Sequence, residues 1–186
     1  MPTPGRPRSG PALLPTLGLA VTIAIVVFGG YAVGGALSRS AGPPVQVAEG
    51  VTIRPLSGWE PAGRFEEPVG VRLTRGAGNL DVVAIPFSGT PQALVDGYVR
   101  EILEPGAERL SVSRRVEAVR TASGLPGARI AYVGLFGRAL TPIEGEITAI
   151  VAPSGVAVVS DGWGPEGVLR YIRGDVRAMT EAVELG

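Results

Sequence analysis

The chain has no cysteine, no histidine and no lysine. The first absence excludes a disulfide framework, a thiolate zinc site, a cysteine nucleophile and the lipidated Cys of a bacterial lipoprotein. The second excludes Ser-His-Asp catalysis and imidazole metal ligation. The third excludes Schiff-base chemistry and the P-loop lysine. All 17 basic residues are Arg, so Asp, Glu and Tyr are what remains for acid–base work. Neither a cofactor nor an enzymatic activity is expected from this inventory.

Net charge is also missing: 17 Arg balance 17 acids. The balance is uneven along the chain. Arg6, Arg8 and Arg39 precede the first acid, Glu49, whereas from residue 45 onward 14 Arg face 17 acids. Nucleic-acid binding needs a clearly basic face, so no nucleic acid is expected as a partner. The apolar fraction of 45% is enough for a packed core.

Charge is absent altogether from Ala12 to Leu37, a run of 26 residues. A helix spans a bilayer with ~20 apolar residues, and in lipid a single segment satisfies its backbone only as a helix. The expected spanning helix covers 15–37, with Pro15 near its start, where a missing N–H is tolerated. Residues 1–14 form the tail before it. Arg6, Arg8 and the α-amino group precede the span and only Arg39 soon follows it. Positive-inside logic therefore puts the N-terminus in the cytoplasm and the rest outside the cell membrane. The rival is a cleaved signal peptide with a small-residue site at Ala36-Leu-Ser38, but the apolar run exceeds the ~7–15 residues of a signal core. Gly30 and Gly34 make a GxxxG that would let two such helices approach as a homodimer. Gly is common enough in this chain to put one there by chance.

Residues 38–49, with Gly42-Pro43-Pro44, read as a short tether. The domain expected at 50–186 has strand signals at Val51–Ile53, Val71–Leu73 and Leu80–Ile85. A helix follows, capped by Thr90 with Pro91 at its first position. Its stripe is Leu94, Val95, Tyr98, Val99, Ile102 and Leu103, and Pro105-Gly106 ends it. Four strand candidates come next: Leu110–Val119, Ala128–Phe136, Ile143–Ala152 and Gly155–Ser160, the last two joined by the turn Pro153-Ser-Gly155. Pro165 opens a final helix with the stripe Val168, Leu169, Ile172, Val176, Met179 and Val183, which Gly174 is placed to interrupt. Strands joined by short loops make a largely antiparallel sheet, and two amphipathic helices can cover its two faces. The expectation is α+β: a transmembrane helix followed by an α/β/α sandwich.

Glu144 and Glu146 lie two apart in a strand and so share a face, where paired carboxylates could hold a divalent cation or divide acid–base work. The competing reading is a strand face with Arg partners. Asp161-Gly-Trp163-Gly-Pro165 is expected as the loop from the last strand to the last helix. A Trp there is either a binding anchor or a cover for the end of the core. Trp59, after Gly58, poses the same choice.

The stretch Gly50-Val-Thr-Ile-Arg-Pro-Leu-Ser-Gly-Trp59 resembles the opening strand and turn of PsbP-like and Mog-like domains, in particular the actinobacterial membrane-anchored members. The resemblance runs through the Tyr98 helix, Gly127-Ala-Arg-Ile-Ala-Tyr132, Gly145-Glu146 and the final helix, over roughly residues 50–184. It implies an antiparallel sheet between helices, and action by docking to partners. No catalytic residue carries over. The expected function is a single-pass, membrane-anchored, extracytoplasmic interaction or assembly module without catalytic activity, its partner another membrane or cell-envelope protein. The alternative is an extracytoplasmic ligand-binding or hydrolytic domain that uses Glu144, Glu146 and Asp161.

Overall fold

Thr90 and Pro91 set the first helix as the sequence predicts. The Thr90 side chain accepts the Ala93 N–H at 3.2 Å, and Pro91 opens helix α1, Pro91–Tyr98. The computed structural model describes residues 41–137 and 141–186. The expected tail, the span at 15–37 and the Gly30/Gly34 contact lie outside these. No helix among the described residues is long and apolar enough to cross a membrane.

Beyond Tyr98 the helix departs from expectation. Val99–Leu103 form a π turn, and a final turn, Glu104–Gly106, follows. A π turn bonds i to i+5, so it rotates later side chains off the α-helical stripe. Leu103 is buried, whereas Ile102, expected on the stripe, is 53% exposed.

The strands are β1 Val45–Ala48, β2 Val51–Ile53, β3 Glu60–Glu66, β4 Val69–Arg75 and β5 Gly78–Pro86, then, after α1, β6 Ala107–Val112, β7 Glu117–Arg120, β8 Pro126–Phe136, β9 Ile143–Val151 and β10 Val156–Pro165. Helix α2, Leu169–Glu181, and a short β11, Glu184–Leu185, end the chain. The main sheet runs β3-β4-β5-β10-β9-β8-β6, with β7 also on β8, and each of its pairings is antiparallel. Strands β1, β2 and β11 make a small second sheet.

Several sequence boundaries change. Val45–Ala48, inside the expected tether, pairs with β2. The run Leu110–Val119 is two strands, because Ser113 Oγ accepts the Arg115 N–H at 3.2 Å and breaks the ladder. Strand β10 continues through Asp161–Pro165, the expected loop, and α2 begins at Leu169, four residues after Pro165. Gly174 lies inside α2 without interrupting it.

The two helices pack on opposite faces of the sheet. On one, Leu94, Val95 and Leu103 of the first helical segment meet Ile130, Ile147, Ala149, Ala157 and Val159. On the other, Leu169, Ile172, Val176 and Met179 of α2 meet Leu73, Leu80, Val82 and Val158. Burial of such side chains stabilises by about 1.5–3 kcal/mol each. Gly162 lets α2 come close, since a Cβ there would meet the Val176 side chain.

Candidate functional site

On the α1 face one row of side chains crosses four strands. Arg72 on β4 stands opposite Asp81 on β5, Asp81 opposite Asp161 on β10, and Asp161 opposite Ile147 on β9. Like charges directly opposite in a sheet repel. Arg72 offsets the repulsion for one member only. Its guanidinium holds Asp81 bidentately at 2.6 and 2.7 Å, and this hydrogen bonding raises the Arg72 pKa above its ordinary value. The Arg72 guanidinium also lies 5.4 Å from the Phe65 ring centre and 5.3 Å from that of Trp163, whose Nε1–H donates to Asp81 at 3.1 Å.

Asp161 is only 5% exposed and has no basic side chain within ion-pair distance among the described residues. It accepts hydrogen bonds from Tyr132 Oη, at 3.0 and 3.1 Å to its two oxygens, and from Tyr98 Oη at 3.3 Å. Burial lifts its pKa to about 7; the Asp81 charge adds to the rise, while the tyrosine hydroxyls and Arg72 oppose it. Burial also pushes both tyrosines above their ordinary range, and the neighbouring Asp161 charge acts in the same direction. The group sits at the wall of a cavity of about 240 Å³, bordered by Tyr98, Tyr132, Phe136, Trp163, Asp81 and Ile102. A near-neutral carboxyl in a small aromatic cavity can hold a ligand or exchange a proton near pH 7.

The structure brings together two of the five sequence candidates, Asp161 and Trp163. Trp59 is a core residue at 4% exposure, its Nε1–H donating to Asp175 at 3.3 Å. Glu144 and Glu146 share the opposite, α2 face. Glu144 accepts the Leu169 N–H at 2.7 Å and so satisfies a donor at the start of α2. Glu146 is buried, forked by Arg177 at 2.6 and 2.8 Å and 3.3 Å from Arg129. Glu144, Glu146 and Asp161 therefore do not converge. Among the described residues no group of three or more acids could hold a metal ion.

Sequence reasoning missed Tyr98, Tyr132, Arg72 and Asp81 as site residues. A signal existed for three of them: a Tyr on an apolar stripe or strand, as Tyr98 and Tyr132 are, needs a partner for its hydroxyl, and Asp81 interrupts the apolar strand Leu80–Ile85.

Solved structures supply the comparison. The chain is similar to cyanobacterial PsbP (CyanoP) from Synechocystis sp. PCC 6803, with 14% identity, 77% of this chain and 92% of that one covered, and a TM-score of 0.54. It is similar to the Ran-binding protein Mog1p of Saccharomyces cerevisiae, with 10% identity, coverage of 80% and 96%, and a TM-score of 0.58. It is also similar to LpqN of Mycobacterium tuberculosis, described as involved in cell envelope biogenesis, with 12% identity, coverage of 77% and 89%, and a TM-score of 0.53. No family model matches the sequence. No curated protein matches it either. At these identities the likeness defines the fold: a mostly antiparallel sheet with few helices, of the PsbP/Mog-like type.

Proposed function

We propose that this chain is a non-catalytic interaction module, held in an actinobacterial cell membrane by a single span at 15–37, with its PsbP/Mog-like domain outside the cytoplasm. The observation that carries the reading is the 26-residue uncharged run Ala12–Leu37, flanked by Arg6 and Arg8 on its N-terminal side. The all-Arg, Ala- and Gly-rich composition supports the actinobacterial setting. Ala41 already bridges to Leu56, and Val45–Ala48 belong to the domain, so the free tether is shorter than the twelve residues of 38–49. A short tether favours partners in or beside the same membrane. The fold offers a precedent for docking in the Ran-binding Mog1p and for envelope work in LpqN.

Protease shaving of intact cells followed by crosslinking tests this reading. The expected result is loss of the domain to external protease and a reproducible membrane or envelope protein in the crosslinked product. A domain protected in intact cells, or free in the culture fluid and trimmed near residue 38, overturns it.

A second reading, extracytoplasmic ligand binding, is favoured by one observation: a buried carboxyl, Asp161, aimed at an aromatic cavity with no cation of its own among the described residues.

A further inference from the structure

We infer that the cavity over Asp161 binds a small organic ammonium cation. The inference rests on the ligand-binding reading and names the ligand's class.

The row Arg72–Asp81–Asp161 holds two carboxyl groups and one guanidinium. Asp81 has its cation within the chain, and that cation lies against the rings of Phe65 and Trp163. Asp161 has no cation at ion-pair distance among the described residues and shares Trp163 with that site. Tyr98, Tyr132, Phe136 and Trp163 border the cavity, and Tyr132 and Phe136 meet edge to face at 6.1 Å. Aromatic walls around a carboxylate are the setting in which alkylated ammonium groups bind, because the ring faces and the carboxylate attract the same charge.

Hydrogen-bond capacity leaves room for a donor, the N–H of a primary ammonium or the hydroxyl of choline, whereas a tetraalkylammonium is held by charge and rings alone. An ionised carboxylate has about four acceptor sites, and the two tyrosines supply two protons. Arg72 offsets Asp81, so the row becomes net negative once Asp161 ionises, and that charge favours a cation over an anion. A cavity of about 240 Å³ is smaller than the ~300–1,000 Å³ of drug-sized sites. The cavity is open to solvent, so its volume sizes the part of the ligand over Asp161, a compact ammonium head such as a trimethylammonium or a primary amine. Half-exposed Ile102, displaced by the π turn, stands on its wall.

Binding is coupled to a proton. The groups facing Asp161 are Asp81 from β5, Arg72 from β4, Tyr98 from α1 and Tyr132 from β8; β9 presents apolar Ile147. A cation stabilises the ionised form, so it displaces the proton that Asp161 keeps up to about pH 7. Affinity rises with pH through that value.

Calorimetric titration of the full chain in a sugar-based detergent and phosphate buffer tests the inference. The probes are tetramethylammonium, choline, the neutral choline isostere 3,3-dimethylbutanol, and acetate. Both ammonium ions should bind saturably, the alcohol at least about tenfold more weakly, and acetate not at all. Choline affinity should fall about thirtyfold from about pH 8.5 to about pH 5.5, in proportion to the ionised fraction of Asp161. Near pH 6 close to one proton should leave per ligand bound. Asp161→Asn should abolish the proton release and the pH dependence. Should that variant fail to fold, proton release by the unmutated chain decides alone.

Choline affinity independent of pH, or matched by the alcohol, overturns the inference. The alcohol or acetate binding without the ammonium ions overturns the cation class and leaves ligand binding standing. Silence with all four overturns the inference and removes this cavity's support for ligand binding. Monomeric short-chain phosphatidylcholine separates the sources: tighter binding than choline assigns a lipid headgroup, weaker binding a free solute.

Discussion

Asp81 and Asp161 stand directly opposite each other on β5 and β10, and only Asp81 has an arginine. The asymmetry has a sign in stability. In the unfolded chain an aspartate is ionised above about pH 4. In the fold Asp161 keeps its proton up to about pH 7. Between those values the folded state binds the extra proton, so raising the pH pulls the chain toward the unfolded state. The cost is absent below about pH 4, complete above about pH 7, and on the order of 4 kcal/mol. Urea unfolding of the unmutated chain and Asp161→Asn should diverge over that window, the variant gaining as pH rises. Parallel curves would refute the protonated buried Asp161.

Gly145 lies opposite Tyr132, and a Cβ there would run into the Tyr132 ring and hydroxyl. A rigid aromatic in a packed core yields poorly. Gly145→Ala is therefore expected to cost about 1–3 kcal/mol and to pull the hydroxyl from Asp161. Tyr132→Phe removes the hydroxyl alone, at about 1–3 kcal/mol. The double variant should cost less than the sum if the glycine acts through that hydroxyl. Additive losses in denaturant melts would show that it does not.

The fold was legible wherever one side of a strand or helix faces the core and the other does not. Leu73, Leu80 and the Thr90-Pro91 start declare themselves this way. Strand β3 does not, because Glu60–Glu66 is exposed almost throughout and contains Pro61 and Gly63. Gly162 and Gly164 make Asp161–Pro165 look like a loop. Their role is close approach: a Cβ on either would meet α2-side residues Val176 and Val168. The site was half legible. Asp161 and Trp163 are neighbours in sequence, but Tyr132 and Tyr98 reach Asp161 across separations of 29 and 63 residues, which no local pattern reports.

Arg129 and Glu146 form a buried pair on the α2 face, each with a side chain 3% exposed. Arg129 also donates to Thr148 at 3.0 Å and to Glu181 at 2.7 Å. Removing Arg129 leaves Glu146 to Arg177 and takes the donor away from Thr148 and Glu181, so Arg129→Ala should cost about 1–3 kcal/mol. Replacing both by Met should recover much of that loss, because a buried pair stabilises little relative to apolar groups of similar volume. A double-mutant cycle by chemical denaturation measures the coupling. No recovery would mean that the Thr148 and Glu181 bonds, more than the pairing with Glu146, hold this part of the α2 face.

The proposed location depends on how strongly 15–37 prefers lipid. The stretch mixes strongly apolar residues with Thr22, Gly29, Gly30 and Gly34, so its margin is limited. An arginine at the centre of a spanning helix costs about 2.5–3.5 kcal/mol on the insertion scale. Ile25 lies near the middle of the run. Ile25→Arg should shift a large part of the chain from the carbonate-resistant membrane fraction into the supernatant, whereas Ile25→Leu should leave it in place. On the proposed reading residue 25 belongs to the anchor and not to the domain, so the released variant should still unfold with the midpoint of the unmutated chain. Release of the unmutated chain by carbonate would remove the anchor, and with it the argument that a short tether confines the partner to that membrane.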